Sequence, residues 1–300
     1  MSKMSERATG WLSLSLYILN TIFWSVPVYT VAILKFLIRN EAWRKQCTTL
    51  LTRMSLGWIG VNNLNAGLKR NIHWDIKGVE GLNPNDWYLV LSNHQTWVDI
   101  LVLQKVFNRK IPFLKFFLKK ELIWVPILGL AWWALDFPFM KRYSEAFLKK
   151  HPHLKGKDLE TTRKACEKFK TLPISFMNFV EGTRFTQKKH DHQHSPFTNL
   201  LKPKAGGMAF VLSAMGSYFN AILNVTIAYP QENKSFWAFM CGRLTEIIVR
   251  VEVLPLEEEL LGNYSEDAEF RERFQDWINK LWTDKDRLLT ELKSKTSQIK

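Results

Sequence analysis

The stretch "WYLVLSNHQTWVDILVLQKVF", residues 87–107, decides the fold of this protein. Its first part, Trp87 to Leu91, is a short continuous run of apolar and aromatic residues, which is typical of a buried strand. From Thr96 to Phe107 the apolar residues recur with helical spacing. The loop between the two contains His94 and lies at the carboxyl end of a strand, where α/β proteins hold their ligands.

Strand and helix patterns alternate through the rest of the chain. Further strands are predicted at Ile72–Lys77, Ile174–Val180, Ile222–Tyr229 and Ile247–Leu254, and further helices at Asp158–Lys170 and Pro203–Met215. Such alternation favours an α/β fold in which helices flank a mixed, mostly parallel sheet. No internal repeat or low-complexity linker divides the pattern.

The charge of the chain indicates an anionic partner. The formal net charge is +14, and Lys105–Lys120 contains six basic residues and no acidic one, interleaved with four phenylalanines. A basic surface mixed with bulky apolar residues suits lipid headgroups, whereas a nucleic-acid groove is more often basic and polar. We therefore expect a phosphate-bearing membrane lipid as partner and no nucleic acid.

The cysteines indicate a reducing compartment. Cys47, Cys166 and Cys241 are odd in number, far apart and without metal-ligand spacing, so they predict neither a disulfide framework nor a metal site. The ordinary interpretation is that they are small buried apolar residues.

The N-terminal segment is predicted to be a membrane anchor. Ala8–Leu34 contains no charged residue and would extend about 40 Å as a helix, long enough to cross a hydrocarbon core. Pro27 would kink or end this helix, so the segment either spans the membrane or enters and returns. Positive charges are denser after the segment, which favours placing the rest of the chain on the cytoplasmic face. We divide the chain into an anchor, residues 1–40, and a domain, residues 41–300.

Two later segments have apolar faces. Leu122–Leu135 is uncharged but too short for a confident span, and its tryptophans suit a buried or interfacial element. Phe270–Leu292 predicts a long helix with one apolar stripe, which we expect to pack on the domain, with contact to the membrane as the alternative.

His94 and Asp99 are the first candidates for chemistry. The positive end of the following helix disfavours a protonated imidazole, so His94 is expected to be neutral and able to accept a proton. Asp99, one turn into the helix, could accept the other ring N–H and fix the tautomer. The alternative is structural, because Thr96 followed three residues later by Asp99 also matches a capping box.

A second string, "FVEGTRF", follows the strand Ile174–Val180 and is expected to open on the same edge of the sheet. Gly182 permits a tight turn, Arg184 offers a planar fork for a phosphate, and Glu181 could orient Arg184. Taken alone, the string could also be an ordinary turn with a local ion pair.

Together the two strings resemble the blocks of the glycerophospholipid acyltransferase family. Asn93, His94 and Asp99 match its Asn-His-x-x-x-x-Asp block, and Glu181, Gly182, Thr183 and Arg184 match its Pro-Glu-Gly-Thr-Arg block. Val180 stands where the family usually has proline, which looks like the branch containing lysocardiolipin and lysophospholipid acyltransferases. Two looser blocks within residues 87–230 point to Arg142 in "FPFMKR" and Lys204 in "LKPKAGG".

The resemblance implies an O-acyltransferase. Its members move a fatty acyl group from acyl-coenzyme A or acyl-carrier protein to the free hydroxyl of a lysophospholipid, here most simply 1-acyl-sn-glycerol-3-phosphate, giving phosphatidic acid. His94 would act as the base and Asp99 would orient it, while Asn93, Arg142, Glu181–Arg184 and Lys204 would bind substrate. No cofactor or metal is expected, and the histidines at 190, 192 and 194 are expected to be solvated. The alternatives are an acyl thioesterase that uses the same pair and a non-catalytic lipid-binding membrane protein.

Overall fold

A six-stranded sheet forms the centre of the protein in a computed structural model that describes residues 3–68, 72–140, 172–264 and 266–297. Its strands are β1 (His73–Lys77), β2 (Tyr88–Ser92), β3 (Leu114–Phe116), β6 (Ser175–Phe179), β7 (Ala221–Ala228) and β8 (Glu246–Pro255). The order is β1-β8-β7-β2-β6-β3. All neighbours are parallel except β7 and β8, which are antiparallel. The predicted α/β class with a mixed, mostly parallel sheet is confirmed.

Helices cover both faces of this sheet. They are α1 (Lys3–Leu37), α2 (Glu41–Leu68), α3 (Val98–Phe107), α4 (Leu128–Ala134), α5 (Gln187–Gln193), α6 (Gly206–Met215), α7 (Phe236–Met240) and α8 (Ala268–Ser297). Within the described residues, 3-10 helices occupy Lys120–Trp124, Gly216–Tyr218 and Glu258–Leu260. Strand β4 (Leu118–Lys119) pairs with β5 (Phe139–Met140) beside the main sheet. The predicted helix Asp158–Lys170 and Cys166 lie outside the described residues.

The alternation of side chains along β2 builds a core on each side of the sheet. Leu89 and Leu91 join one apolar cluster with α6 and α8, whereas Tyr88 and Val90 join another with α3 and α7. Helix α8 contributes Phe270, Phe274, Ile278, Trp282, Leu289 and Leu292 to the first cluster. The prediction that the C-terminal helix packs on the domain is therefore confirmed.

The N-terminal region is a pair of helices, of which only the first was expected. Helix α1 continues through Pro27 without ending there, and α2 packs along it. Buried amides join the pair: Asn20 donates to Asn62 at 2.8 Å, and the Ser13 hydroxyl donates to Asn65 at 3.1 Å. Among the described residues, one helix, Met4–Leu37, is long and apolar enough to cross a membrane. The division into residues 1–40 and 41–300 stays a prediction.

Part of the basic segment does not face solvent. Lys115 is buried, and its ammonium group donates to the carbonyl of Leu135 at 2.7 Å. Lys105 lies over the ring of Trp74, 5.0 Å from its centroid. Beside this segment, Trp124 is 85% exposed and Leu130 is 58% exposed, which suits the predicted interfacial element.

Candidate active site

Three neighbouring parallel strands bring the candidate residues to one edge of the sheet. His94 follows β2, Glu181 follows β6 and Tyr229 follows β7, and β2 lies between the other two. Because the carboxyl ends of parallel strands meet at the same edge, residues far apart in sequence converge there. The predicted position of both strings on one edge is observed directly.

Asp99 contacts both His94 and the backbone of the preceding loop. Its Oδ2 lies 2.8 Å from Nδ1 of His94 and accepts hydrogen bonds from the N–H groups of Gln95 at 2.6 Å and Thr96 at 2.9 Å. Asp99 is fully buried. The two interpretations drawn from the sequence are therefore not exclusive, since one carboxylate satisfies the loop N–H groups and contacts the imidazole.

Tyr229 contacts the other oxygen of the Asp99 carboxylate, and the sequence did not predict this contact. Its hydroxyl donates to Oδ1 of Asp99 at 2.6 Å. Burial and the negative charge of Asp99 raise the pKa of Tyr229 well above 10, so the hydroxyl stays protonated as a donor. A polar aromatic residue at the end of a predicted strand was the signal that could have pointed to it.

The imidazole of His94 is held on its face as well as at Nδ1. Its ring stacks on Phe179, with centroids 3.8 Å apart and an interplanar angle of 11°. The His94 side chain is 11% exposed, so its surroundings are largely dry. With Nδ1 directed to Asp99, Nε2 is the ring nitrogen left to exchange a proton with another group.

Asn93 and Glu181 hold the backbone through buried hydrogen bonds, and their part in substrate binding stays a prediction. The Asn93 amide donates to the carbonyl of Ile227 and accepts from its N–H, each at 2.9 Å, and so ties β2 to β7. Glu181 accepts from the N–H groups of His94 at 2.8 Å and Leu201 at 2.9 Å. The expected pairing of Glu181 with Arg184 is wrong, because both carboxylate oxygens bind backbone N–H groups. Burial raises the pKa of Glu181 to about 7, against the opposing effect of these two hydrogen bonds.

The loop after β6 wraps around His94. The N–H of Phe185 donates to the carbonyl of His94 at 2.7 Å, and Gly182 adopts a left-handed conformation with φ of 70°. A side chain at Gly182 would come within 3.2 Å of Lys204, whose stem lies against the turn. The predicted candidate Lys204 thus lies beside the loop, whereas Arg142 lies outside the described residues.

Arg184 and Thr183 have well-defined neighbours. The guanidinium of Arg184 lies over the ring of Trp97, 4.4 Å from its centroid. Lys189 donates to the Thr183 hydroxyl at 2.7 Å and to the Arg184 carbonyl at 3.0 Å. Lys189 belongs to the first turn of α5. The stacking on Trp97 positions the Arg184 side chain, and Lys189 holds the backbone of the turn.

Two cavities of different character adjoin the loop that contains His94. The larger one, of about 700 Å³, is lined mostly by apolar side chains from α1, α2, α3, α4 and β3 and reaches His94, Trp97 and Phe179. The smaller one, of about 370 Å³, is polar and is lined by Gln95, Thr96, Arg184, Lys189 and Lys234 among others. His94 thus lines a space suited to a hydrocarbon chain, and the two residues that follow it, Gln95 and Thr96, line a space with three cations.

The histidines of α5 differ from the expectation that they are all solvated. His192 and His194 are exposed, but Nε2 of His190 lies 2.6 Å from the carbonyl of Phe197. Among the described residues, no group of three or more histidine, cysteine, aspartate or glutamate side chains is arranged to hold a metal.

The sequence model of the acyltransferase family matches residues 73–229, more than half of the chain. The chain belongs to this acyltransferase family. Its relatives include 1-acyl-sn-glycerol-3-phosphate acyltransferase 3 of Arabidopsis thaliana, 29% identical over 198 residues that cover 61% of this chain and 49% of that protein. They also include the gamma enzyme of Homo sapiens, 26% identical over 213 residues that cover 67% and 52% of the two chains. The chain spans about half the length of these curated relatives.

A solved structure has the same fold. The 1-acyl-sn-glycerophosphate acyltransferase of Thermotoga maritima superposes with a TM-score of 0.50 and 17% identity, covering 96% of this chain and 98% of that one. The acyltransferase family predicted from the two sequence strings is confirmed, and the relatives named above are 1-acyl-sn-glycerol-3-phosphate acyltransferases. The placement in the lysocardiolipin branch stays a prediction. Acyl transfer is the activity that the family supports.

Proposed function

We propose that this protein transfers a fatty acyl group from a thioester, acyl-coenzyme A or acyl-carrier protein, to the free hydroxyl of 1-acyl-sn-glycerol-3-phosphate at a membrane surface. The observation that carries the proposal is the His94–Asp99 pair beside an apolar cavity that His94 lines, with a cationic pocket that begins at the next residue, Gln95. An acyl chain fits the first space, and the phosphate of the acceptor fits the second. The relatives named above carry this reaction in their names.

The acceptor hydroxyl needs a base because an alcohol is a poor nucleophile. Nε2 of His94 takes its proton as the oxygen attacks the thioester carbonyl, a contribution typically worth 10²- to 10⁴-fold. The tetrahedral intermediate then expels the thiolate, which takes the proton back from Nε2. Asp99 fixes the tautomer through Nδ1 and stabilises the imidazolium that forms between the two steps.

Arg184 holds the acceptor so that its hydroxyl reaches His94. A guanidinium offers a planar, bidentate fork for phosphate, and positioning the reactants in this way lowers the entropic part of the barrier. The stacking on Trp97 keeps the guanidinium from folding away when no anion is bound. A thioesterase that activates water would have no use for this cation.

The test is acyl transfer by the purified full chain. Labelled acyl-coenzyme A or acyl-carrier protein is mixed with a panel of lysophospholipids, and transfer and thioester hydrolysis are measured side by side. His94→Ala should leave a folded protein whose transfer falls at least about 100-fold. Near-normal transfer by His94→Ala, or hydrolysis without transfer by the natural chain, would contradict the proposal.

A further inference from the structure

The small polar pocket contains cations that belong to neither sequence string. Besides Arg184, it is lined by Lys189 and Lys234, and Lys234 belongs to the loop that follows β7. The acidic residue in its lining, Glu232, is exposed at the rim. Three cations against one exposed carboxylate make this a site for an anion with more than one negative charge.

Lys234 is tied to the residue that follows His94. Its Nζ donates to Oε1 of Gln95 at 2.5 Å, and the Gln95 amide in turn donates to the carbonyl of Asn199 at 3.1 Å. An ammonium group has three N–H donors. Within the described parts of the chain, Gln95 is the hydrogen-bond partner found for Nζ, which leaves donors to face an anion.

The surroundings of Lys234 favour a bound anion. Burial and the nearby charge of Lys293 lower the pKa of Lys234 to about 8, so the ammonium form is poorly compensated in the empty pocket. A phosphate would supply the missing negative charge. It would also neutralise the mutual repulsion of the lysines and Arg184.

The pocket fits a terminal phosphate monoester best. A monoester carries between one and a half and two negative charges at pH 7 and three free oxygens, whereas a diester carries one charge and two free oxygens. Three converging cations match the former. We infer that Lys234, acting together with Arg184, binds the dianionic phosphate of the acceptor and selects phosphate-monoester lysophospholipids over those with a substituted headgroup. This inference rests on the proposed function.

Two substrates could supply such a phosphate: the acceptor, and coenzyme A through its 3′-phosphate. In the acceptor, one carbon and one oxygen separate the phosphorus from the carbon that bears the reacting hydroxyl. In coenzyme A the whole pantetheine arm and a diphosphate separate the 3′-phosphate from the thioester. Lys234 reaches Gln95, the residue next to His94, so the pocket adjoins the reacting centre and favours the acceptor.

The test compares Lys234→Gln with Lys188→Gln in the purified full chain. Lys188 lies in the same pair of lysines as Lys189 but is exposed and does not line the pocket, so its change removes one charge without touching the site. We expect Lys234→Gln to raise KM for 1-acyl-sn-glycerol-3-phosphate about tenfold or more, the range for losing one charge-assisted hydrogen bond. KM for lysophosphatidylglycerol should change less than about threefold. With Lys234→Arg, KM for 1-acyl-sn-glycerol-3-phosphate should return most of the way to the value of the natural chain. Lys188→Gln should have the same KM as the natural chain.

A donor series separates the two sources of phosphate. Acyl-dephospho-coenzyme A lacks the 3′-phosphate of acyl-coenzyme A. If the pocket binds the acceptor's phosphate, Lys234→Gln should change KM for these two donors equally. A rise confined to acyl-coenzyme A would overturn the inference, and so would an equal rise of KM for both lysophospholipids.

A direct measurement of phosphate binding tests the inference independently of the proposed function. Titration of glycerol 3-phosphate into the natural chain and into Lys234→Gln needs no turnover. Weaker binding by the variant supports the pocket even if no acyl transfer is found. Unchanged binding of glycerol 3-phosphate would refute it even in an active enzyme.

Discussion

Asp99 shows how one side chain combines a structural and a chemical task. Its Oδ2 satisfies two loop N–H groups that would otherwise be buried without partners, and the same oxygen contacts Nδ1 of His94. Leaving such N–H groups unsatisfied costs about 1–3 kcal/mol each. Helix capping and histidine orientation therefore cannot be separated by deleting the side chain, because a deletion removes both.

Asp99→Asn separates the two tasks better. An amide oxygen can still accept from Gln95 and Thr96, but the amide has no charge with which to stabilise an imidazolium. We expect transfer to fall at least about 100-fold while the melting temperature falls only modestly. Measurement of kcat/KM and thermal unfolding on the same preparation checks this. Full activity with a lowered melting temperature would leave Asp99 with the capping task alone.

Tyr229→Phe tests the other oxygen of the same carboxylate. The change keeps the ring in the core and removes the hydroxyl that donates to Oδ1 at 2.6 Å. Oδ1 of the buried Asp99 carboxylate then loses the hydrogen-bond donor that Tyr229 supplied. The free energy of unfolding should therefore fall by about 1–3 kcal/mol. The contact between Asp99 and His94 remains, and transfer should therefore fall much less than in Asp99→Asn. Equal losses of activity in the two variants would show that Tyr229 is needed for the chemistry itself.

At the scale of secondary structure, the sequence predicted the sheet better than the helices. Each of the five predicted strands agrees with an observed strand to within one residue at either end. Strands buried on both faces consist of short apolar runs that few other structures require. The short strand β3 was missed because Leu114–Phe116 contains Lys115, which reads as exposed but is buried through its bond to Leu135. Helix α2 was missed because its amides and cations dilute the apolar pattern.

The active site was predictable only where its residues are close in sequence. His94 and Asp99 are five positions apart, and the Glu-Gly-Thr-Arg turn is contiguous. Tyr229 and Lys234 reach the same edge of the sheet from the end of β7, more than a hundred residues later. Their contacts depend on β7 lying beside β2, and no local pattern encodes that neighbour relation.

Helix α8 is fastened to the sheet by a buried lysine whose charge state depends on pH. Nζ of Lys285 donates to the carbonyl of Val225 at 2.6 Å and to the Thr226 hydroxyl at 3.1 Å. Burial lowers the pKa of Lys285 to about 7, against the opposing effects of Glu252 and Glu181. An unfolded lysine has a pKa near 10.4, so between about pH 7 and pH 10 the unfolded chain binds more protons than the folded one. Stability from this group is present at high pH and is lost as the pH falls towards 7.

Lys285→Met should remove this dependence. We expect the stability of the natural chain, relative to the variant, to rise between pH 7 and pH 9.5 by up to about 1.4 kcal/mol per pH unit. Unfolding followed at several pH values measures the difference. Lys280→Met is the matched control, because Lys280 lies on the same helix but is exposed, and its curve should run parallel to that of the natural chain. A constant difference between Lys285→Met and the natural chain would show that Lys285 does not change its charge on folding.

At the scale of the whole molecule, α1 contributes to the surroundings of the candidate site. Thr21, Trp24, Ser25 and Val28 of α1 line the apolar cavity that reaches His94. Its other face exposes large apolar side chains, among them Trp11 at 62% and Phe23 at 68%. This face indicates association with a membrane.

A chain that begins at Glu41 should therefore lose more than its attachment. Without α1 the cavity has no wall on one side, and Asn62 and Asn65 lose partners that are buried in the full chain. We expect acyl transfer to fall to background and the remaining domain to unfold at a lower temperature. Normal activity of the shortened chain in detergent would show that α1 serves only for attachment.

The contacts at the two ends of α1 decide how it meets the membrane. Near its start, Glu6 pairs with Arg243 at 2.9 Å, and near its end Lys35 pairs with Asp136 at 2.5 Å. These positions are about 43 Å apart along a helix, more than the roughly 30 Å of a hydrocarbon core. If α1 spanned the bilayer, Arg243 and Asp136 of one folded domain would lie on opposite sides of it. We therefore expect α1 to lie along one leaflet, with both basic ends on the same side.

Labelling in sealed vesicles tests this orientation. Single cysteines replace Met4, which is 82% exposed near the start of α1, and Leu37, which is 66% exposed at its end, in a background whose natural cysteines are alanine. Lys188→Cys, on the exposed surface of α5, reports the side on which the catalytic domain lies. A membrane-impermeant maleimide should reach all three positions from the same side, because a helix in one leaflet has no end across the bilayer. Modification of Met4→Cys and Leu37→Cys from opposite sides would instead establish a spanning helix, and the ion pairs at its two ends could then not both exist in the membrane.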